Sequence, residues 1–360
     1  MDKTFFLSVV LLVIAGFFIF SSASLGLLAR EGISYTTVAL KQFLIGFVFG
    51  GLTLVVMARI PYAFWKKNSL AIFLTSVVAC FLVLVPHIGI AHGGARRWLP
   101  LGPYSFQPSE FLKLGVIIYF AAWATAAKNK IETFSYGLLP LLVIIILTGG
   151  LIMKQPDTGT FMVIFSALIV MFFVAGGKIK HILLLFFILA IAVGGLAYTR
   201  PYLMSRFTTF LDPSSDSLGS GYQIQQSLIA VGSGEMFGRG FGQSIQKFNF
   251  LPEPIGDSIF AVMAEEFGFV GSATLIILFV FFALRGYRVA ARTTDQFGML
   301  LATGIVTLII VQSMINIGSM LGVMPLTGIP LIFVSQGGTA MLFGLAEVGI
   351  VLNISKGKKS

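Results

Sequence analysis

The 360-residue chain contains few charged side chains, only three histidines and a single cysteine, Cys80. Charged residues make up 11% of the sequence, whereas a typical soluble domain has roughly 25%. One cysteine excludes a disulfide within the chain, and the scattered histidines lack the spacing of a zinc site. Hydrophobic residues account for 57% of the chain. A water-soluble fold of this composition could not cover itself with polar groups, so the sequence predicts a membrane protein.

Apolar runs recur along the whole chain at the length of membrane spans. A bilayer core about 30 Å thick requires about 20 apolar residues in a helix. The runs predict an all-α polytopic membrane protein, organised as a single domain over residues 1–360, with ten transmembrane helices. The expected spans are 5–28, 37–58, 69–90, 107–127, 136–153, 158–176, 180–199, 257–284, 297–323 and 331–353. The first run is longer than the core of a cleaved signal peptide, so we expect it to be retained.

The net charge of +10 does not indicate a nucleic-acid partner, because the basic residues lie in short loops between apolar runs. Most of them fall on the side that both termini share, which is the positive-inside pattern of cytoplasmic termini. The long loop 200–256, between helices 7 and 8, is therefore expected to be extracytoplasmic. Loops of this length are usually functional or disordered. Within it, Tyr222–Val231 has the spacing of an amphipathic helix that could lie in the membrane interface.

Polar residues at the outer ends of the spans are the best guide to function, because an ionisable group inside a span costs at least ~2.5–3.5 kcal/mol. The first outer loop carries Arg96 and Arg97 and leads to Glu110 and Lys113, which share a helix face. These residues are either a structural ion pair at the interface or a wall for an anionic ligand. In the motif KQPDTGT, Asp157 is either a helix N-cap or an acidic group that faces the same outer cavity.

Two further segments place polar groups at the same face. Asp257 lies where the long loop becomes helix 8, with helix capping as the alternative to a functional role. Glu265 and Glu266 lie two turns deeper and must pair or face water. The last segment contains Asn316 and a Pro- and Gly-rich break at 325–338, and broken helices are tolerated only inside protein or beside a wet cavity. All four places fall at the outer leaflet, which favours a site open to the outside.

At these positions the sequence resembles the SEDS family, the FtsW/RodA/SpoVE group, and within it the cell-division branch. The matching motifs are GGARRWLPLGPYSFQPSEFLKL, KQPDTGT, GYQIQQSLIAVGSGEMFGRGFGQSIQKFNFLPEPIGDSIFAVMAEEFGFVG and MPLTGIPLIFVSQGG. The resemblance implies a peptidoglycan glycosyltransferase that polymerises lipid II and releases undecaprenyl diphosphate. It implies Asp257 as the catalytic residue. It also implies roles for Arg96, Arg97, Glu110, Lys113 and Asp157, and we expect these residues, with Arg206 and Ser335, to bind the substrate. One departure is Gln336, where the family commonly has tyrosine.

The resemblance also implies partners and a location. The partners would be lipid II, undecaprenyl-linked glycan, a class B penicillin-binding protein that acts as transpeptidase, and other divisome membrane proteins. The location would be the bacterial cytoplasmic (inner) membrane. The mechanism we expect is that Asp257 activates the acceptor hydroxyl, either as general base or through a divalent cation, Mg²⁺ or Mn²⁺, whose presence the sequence leaves open. The alternatives are an elongation-type polymerase, a lipid II flippase and a non-catalytic scaffold.

Overall fold

The computed structural model describes residues 1–29, 35–92, 95–102, 104–199, 201–213 and 219–357. Small parts of the first motif, of the loop 200–256 and of the C-terminal basic segment lie outside these residues. The described α-helices are α1 (Lys3–Ser24), α2 (Tyr35–Lys41), α3 (Gly50–Met57), α4 (Tyr62–Lys67), α5 (Ser69–Leu84), α6 (Pro108–Ala127), α7 (Leu139–Lys154), α8 (Thr158–Val174), α9 (Ile179–Thr199), α10 (Pro201–Leu211), α11 (Ser220–Ser233), α12 (Ile259–Ala291), α13 (Gln296–Met320) and α14 (Gly338–Ile354).

The helices confirm a polytopic, mostly helical membrane protein. Among the described residues, six helical runs are long and apolar enough to cross a membrane, and four shorter apolar helices accompany them at the predicted places. The predicted ends that are wrong include those of α5 and α14. Helix α5 ends at Leu84 rather than near residue 90, because Val85 adopts an extended conformation. Helix α14 begins only at Gly338, because the seven residues before it form turns.

The first outer loop contains a small antiparallel sheet that the sequence analysis did not predict. Its strands are β1 (Ile90–His92), β2 (Ala95–Leu101) and β3 (Tyr104–Phe106), in the order β1-β2-β3. Successive side chains on a strand point to opposite faces. Arg96 and Arg97 are neighbours on β2, so the sheet sends their guanidinium groups in opposite directions.

Helix α13 forms the centre of the bundle. It is the most buried of the six long apolar helices and packs against α12, α8, α6 and α14. Helices at the periphery expose large apolar side chains, as α9 does at Leu183 and Phe187. Lipid solvates such side chains as well as a protein core does. Polar groups on α13 therefore lie inside protein, shielded from lipid.

The two chain termini meet at one end of the bundle. The backbone N–H of Asp2 donates to Oγ of Ser355 at 2.9 Å, and Arg285 approaches the Asp2 carboxylate at 3.4 Å. This contact confirms that the termini share a side, as an even number of crossings requires.

Helix α12 is broken at Gly268, which has φ 64° and ψ −163°. A side chain is disfavoured in this left-handed region, so glycine permits the break. Loop residues fill the gap: the N–H of Arg239 donates to Glu265 O at 3.0 Å and that of Phe269 to Glu235 O at 2.8 Å. Large exposed apolar side chains on α12 begin at Phe269. The predicted span 257–284 is therefore displaced. Its first turns, before Gly268, pack against the long loop and form part of the outer face of the protein.

Candidate functional site

The segment 325–337 joins the polar places that the sequence analysis singled out. This segment, which we call the outer break, lies between α13 and α14 and forms turns and extended chain. Arg206 on α10 donates to Leu326 O at 2.6 Å and to Thr158 Oγ1 at 3.4 Å. It therefore connects the outer break to the start of α8, where the KQPDTGT motif lies.

A second set of contacts connects the outer break to Asp257. Nδ2 of Asn316, on α13, donates to the carbonyl oxygen of Asp257 at 2.7 Å and to that of Ile329 at 2.9 Å. The N–H of Gln336 donates to Ile255 O at 2.7 Å. The outer break is thus bonded directly to Ile255 and, through Asn316, to Asp257, on the two sides of Gly256.

A third set of contacts runs from the outer break to the start of α6. The ammonium group of Lys113 lies 2.8 Å from the Glu110 carboxylate, and both side chains are only 4% exposed. Lys113 also donates to Oε1 of Gln312, whose Nε2 donates to Pro330 O at 3.0 Å. The ion pair predicted from the i,i+3 spacing is present, and it is buried against α13.

Arg97 and Asp157 are engaged by the protein itself. Nε of Arg97 donates to Gln155 O at 3.0 Å, and its Nη2 donates to Pro156 O. Asp157 caps α8, accepting from the backbone N–H of Thr160 at 3.1 Å and from its hydroxyl at 2.8 Å. Of the two roles considered for Asp157, the geometry supports capping. Arg96, by contrast, is exposed on β2.

Asp257 differs from the three aspartates that begin other helices. Asp2, Asp157 and Asp295 each accept hydrogen bonds from backbone N–H groups in the first turns of α1, α8 and α13. The N-cap of α12 is instead Ser258, whose side chain makes no capping hydrogen bond in the described part of the chain. Capping therefore does not explain the Asp257 carboxylate.

The surroundings of Asp257 oppose its ionisation. Its side chain is partly exposed, but Oδ1 is buried and has no hydrogen-bond partner among the residues that the structure describes. The pKa of Asp257 is raised to about 6, chiefly by burial and also by the charge of Glu253, which together outweigh the lowering effects of the Gln223 hydrogen bond and the Arg206 charge. A carboxyl group with a pKa close to neutral is suited to taking up a proton and releasing it again.

Glu265 and Glu266 are paired, as the sequence required. Glu266 lies 2.7 Å from the ammonium group of Lys247. Glu265 accepts from the hydroxyl of Ser244 and from the N–H of Ile245 at 3.0 Å. Both carboxylates therefore join the long loop to α12.

Some residues of the site were missed by sequence reasoning. Glu347 on α14 is 4% exposed and interacts electrostatically with Lys113 and Glu110. In the sequence, Glu347 could have been recognised as a lone carboxylate within an apolar run. Gln42 is 4% exposed; it donates to Ser335 O at 3.3 Å and accepts from the N–H of Gly337 at 3.3 Å. Ser335 itself is buried, and its hydroxyl accepts from the N–H of Leu331 at 2.8 Å, which stabilises the outer break.

A metal site made of side chains alone does not form at Asp257. Within the described ranges no group of three or more His, Cys, Asp or Glu residues could hold a metal ion. Mg²⁺ is usually held by one or two carboxylates together with waters and substrate phosphates, so the ligands that this site would contribute are Asp257 and the nearby Glu253.

The apolar helices surround a buried polar centre, and Asp257, which caps no helix, lies at the end of the long loop. These features define a multi-pass membrane protein with a candidate active site at one face. The family model FTSW_RODA_SPOVE, described as "Cell cycle protein", matches residues 2–360. The chain is 41% identical over 312 residues to stage V sporulation protein E of Bacillus subtilis, covering 86% of this chain and 85% of that protein. The chain therefore belongs to the FtsW/RodA/SpoVE family.

Other relatives agree with this membership. The chain is 36% identical over 358 residues to a probable peptidoglycan glycosyltransferase FtsW of Trichlorobacter lovleyi, covering 99% of this chain and 94% of that protein. Its fold matches a chain from a study of polymerization and crosslinking by a peptidoglycan synthase complex, with a TM-score of 0.81, 27% identity and coverage of 99% and 97%. It also matches the rod shape determining protein RodA of Thermus thermophilus, with a TM-score of 0.72, 25% identity and coverage of 100% and 98%.

Proposed function

We propose that this protein is a peptidoglycan glycosyltransferase that polymerises lipid II into glycan strands at the outer face of the bacterial cytoplasmic membrane. The names of the FtsW relatives support the activity. The observation that carries the proposal is the state of Asp257. Its backbone is joined to the outer break through Asn316, and its carboxylate is not used as a helix cap and has a pKa raised to about 6.

In the proposed reaction, the Asp257 carboxylate takes the proton of the 4-hydroxyl of the acceptor GlcNAc. The hydroxyl oxygen then attacks the anomeric carbon of the MurNAc on the growing strand and inverts it, and undecaprenyl diphosphate leaves. A positioned base of this kind contributes typically about 10²–10⁴-fold to the rate. The glycosidic bond forms as the bond to the diphosphate breaks, so the leaving group carries away the negative charge that cations must stabilise.

The cations that the geometry favours for this task are Arg96 and Arg206. Arg96 is exposed on β2. Arg206 also donates to a backbone carbonyl, that of Leu326, but its charge acts on Asp257. Arg97 binds backbone carbonyls and Lys113 is enclosed by Glu110 and Gln312. We therefore assign Arg97, Glu110, Lys113, Asp157 and Ser335 to shaping the substrate site from beneath, without direct contact with the diphosphate.

The proposed partner is a class B penicillin-binding protein, which would cross-link the strands made here. The similar chain from a peptidoglycan synthase complex supports this proposal. A role in septal synthesis, alongside other divisome proteins, is supported by the FtsW names among the relatives, although sporulation and rod-shape proteins are similar as well.

The proposal is tested by purifying the chain, alone and with its transpeptidase partner, in detergent with labelled lipid II. We expect glycan ladders from the complex and none from Asp257→Ala or Asp257→Asn. Absence of ladders from the intact complex would refute the polymerase function, and full activity of both variants would refute the role of Asp257. A flippase would instead move labelled lipid II across vesicle membranes without forming polymer, and a scaffold would do neither.

A further inference from the structure

Two amide side chains on α13 link the polar groups of the site. Gln312 and Asn316 lie four residues apart, so they share one face of the helix. They are 2% and 1% exposed, at the centre of the bundle. A buried amide is costly where its hydrogen bonds are not made. Gln312 has a partner at both Oε1 and Nε2, whereas Asn316 has two partners at Nδ2 and, among the described residues, none at Oδ1.

Asn316 holds the backbone at Asp257. Its Nδ2 donates to the carbonyl oxygens of Asp257 and Ile329, at 2.7 and 2.9 Å. These two acceptors settle the orientation of the amide, because the flipped form would place Oδ1 against both carbonyl oxygens. Asn316 thereby fixes the loop that carries the carboxylate relative to the outer break.

Gln312 performs the equivalent task one turn deeper. Its Oε1 accepts from the ammonium group of Lys113, and its Nε2 donates to Pro330 O at 3.0 Å. Pro330 is the neighbour of Ile329, which Asn316 binds. A continuous chain of contacts therefore runs from Glu110 through Lys113 and the two amides to Asp257.

We propose that Asn316 and Gln312 are positioning residues, which set the place of the Asp257 carboxylate by holding its backbone and the outer break together. The buried Glu110–Lys113 pair acts on the reaction through Gln312. This inference rests on the proposed function, since it assumes that Asp257 is the base. It assigns to the two amides a task that neither composition nor spacing in the sequence indicates.

The chain contains a matched control for Asn316. Asn353 on α14 also uses Nδ2 to donate to a backbone carbonyl, that of Ala58 at 2.9 Å, and its Oδ1 accepts from the N–H of Tyr62 at 3.1 Å. It therefore bridges two segments as Asn316 does, but near the end of the bundle where the termini meet. Asn316→Ala and Asn353→Ala remove the same atoms, and only the first should disturb the site.

The experiment measures initial rates of lipid II polymerisation by the complex with its transpeptidase partner, over a range of lipid II concentrations. We expect Asn316→Ala to lower kcat by about tenfold to a hundredfold, the range that a small misplacement of a reacting group produces, with KM little changed. Gln312→Glu keeps an acceptor for Lys113 but loses the donor to Pro330, so we expect a smaller loss of kcat. Asn353→Ala should retain both constants.

Folding is checked for each variant by thermal melting and size-exclusion chromatography. Equal losses in Asn316→Ala and Asn353→Ala, or a change in KM alone, would overturn the inference. If Asn316→Ala does not fold, Gln312→Glu decides: full kcat in that variant contradicts the proposal. An active wild-type complex with an inactive Asp257→Asn variant shows that the proposed function holds whichever result the amides give.

Discussion

The surroundings of Asp257 disfavour the ionised form of its carboxyl group. The free energy of unfolding should therefore depend on whether this group is charged. Burial raises the pKa of Asp257 from 3.8 to about 6 in the folded protein. A group whose folded pKa is raised contributes stability that is fully present below its unfolded pKa and is lost as the pH rises through the folded value. Above about pH 6, Asp257 is therefore a source of instability.

We accordingly predict that Asp257→Asn is more stable than the wild type at pH 8. The ionised carboxylate loses hydration when the protein folds, whereas the asparagine amide carries no charge. The difference should disappear as the pH falls below 4. Thermal melting in detergent between pH 4 and pH 8 measures it. Asp295→Asn provides the control: Asp295 caps α13 through Gly298 N at 3.0 Å, and asparagine caps about as well. Stabilisation of both variants at pH 8, or of neither, contradicts the prediction.

Two aspartates in similar sequence contexts have different roles in the structure. Asp157 and Asp257 both precede an apolar helix, and the sequence allowed each to be a cap or a functional group. The choice depends on the backbone: α8 begins directly after Asp157, whereas α12 begins after Ser258. Similarly, the sequence required partners for Glu266 but could not identify Lys247 or Ser22, because those contacts join distant parts of the chain.

At the scale of elements, the break in α12 lets the outer layer of the protein interlock with the bundle. Gly238 and Gly268 approach so closely that a Cβ atom on Gly268 would lie 2.4 Å from the backbone nitrogen of Gly238. Neither backbone can move away easily, because Arg239 and Gly240 donate to the carbonyl oxygens of Glu265 and Glu266. The glycines of the loop are thus required by packing as well as by conformation.

We predict that Gly268→Ala destabilises the protein by about 2 kcal/mol or more, since it combines a backbone clash with a left-handed conformation. The matched control is Gly150→Ala on α7, where an added Cβ meets nothing within 4 Å. There, alanine should be neutral or stabilising by up to about 1 kcal/mol. Melting temperatures of the two purified variants test this, and a Gly268→Ala variant as stable as Gly150→Ala would refute it.

The helices were predictable because lipid demands long apolar runs with internally satisfied backbones. Their ends were less so. Residues 331–337 are apolar enough to continue a helix, yet they form turns. Gln42 holds these turns at Ser335 and Gly337, and Gln312 binds Pro330 directly before them. The sheet β1–β3 was missed because its strands are short and lie beside a proline- and glycine-rich loop. Tertiary contacts decide these local structures, and a single sequence does not reveal them.

At the scale of the whole molecule, one buried lysine connects the first helix, the long loop and α12. Lys247 is 0% exposed. Its ammonium group lies 2.7 Å from Glu266, 3.1 Å from Ser22 O and 2.9 Å from Gly242 O. A buried charge is tolerable only when it is paired and hydrogen-bonded in this way. The position of the loop therefore depends on an ion pair whose two members flank Asp257 in the sequence, one in the loop and one on α12.

Replacing one member of the Lys247–Glu266 pair should destabilise the protein more than replacing both. We predict that Lys247→Met destabilises the protein by about 3–5 kcal/mol, because Glu266 is then left buried without a counter-charge. The double variant Lys247→Met, Glu266→Gln should recover part of this loss and be more stable than the single variant.

The control is Lys178→Met. Lys178 pairs with Glu132 at 3.3 Å with side chains 47% and 54% exposed, and an exposed pair contributes at most about 1 kcal/mol. Thermal melting and limited proteolysis of the loop distinguish the variants, and a Lys247→Met variant no less stable than Lys178→Met would show that the loop is held by other contacts.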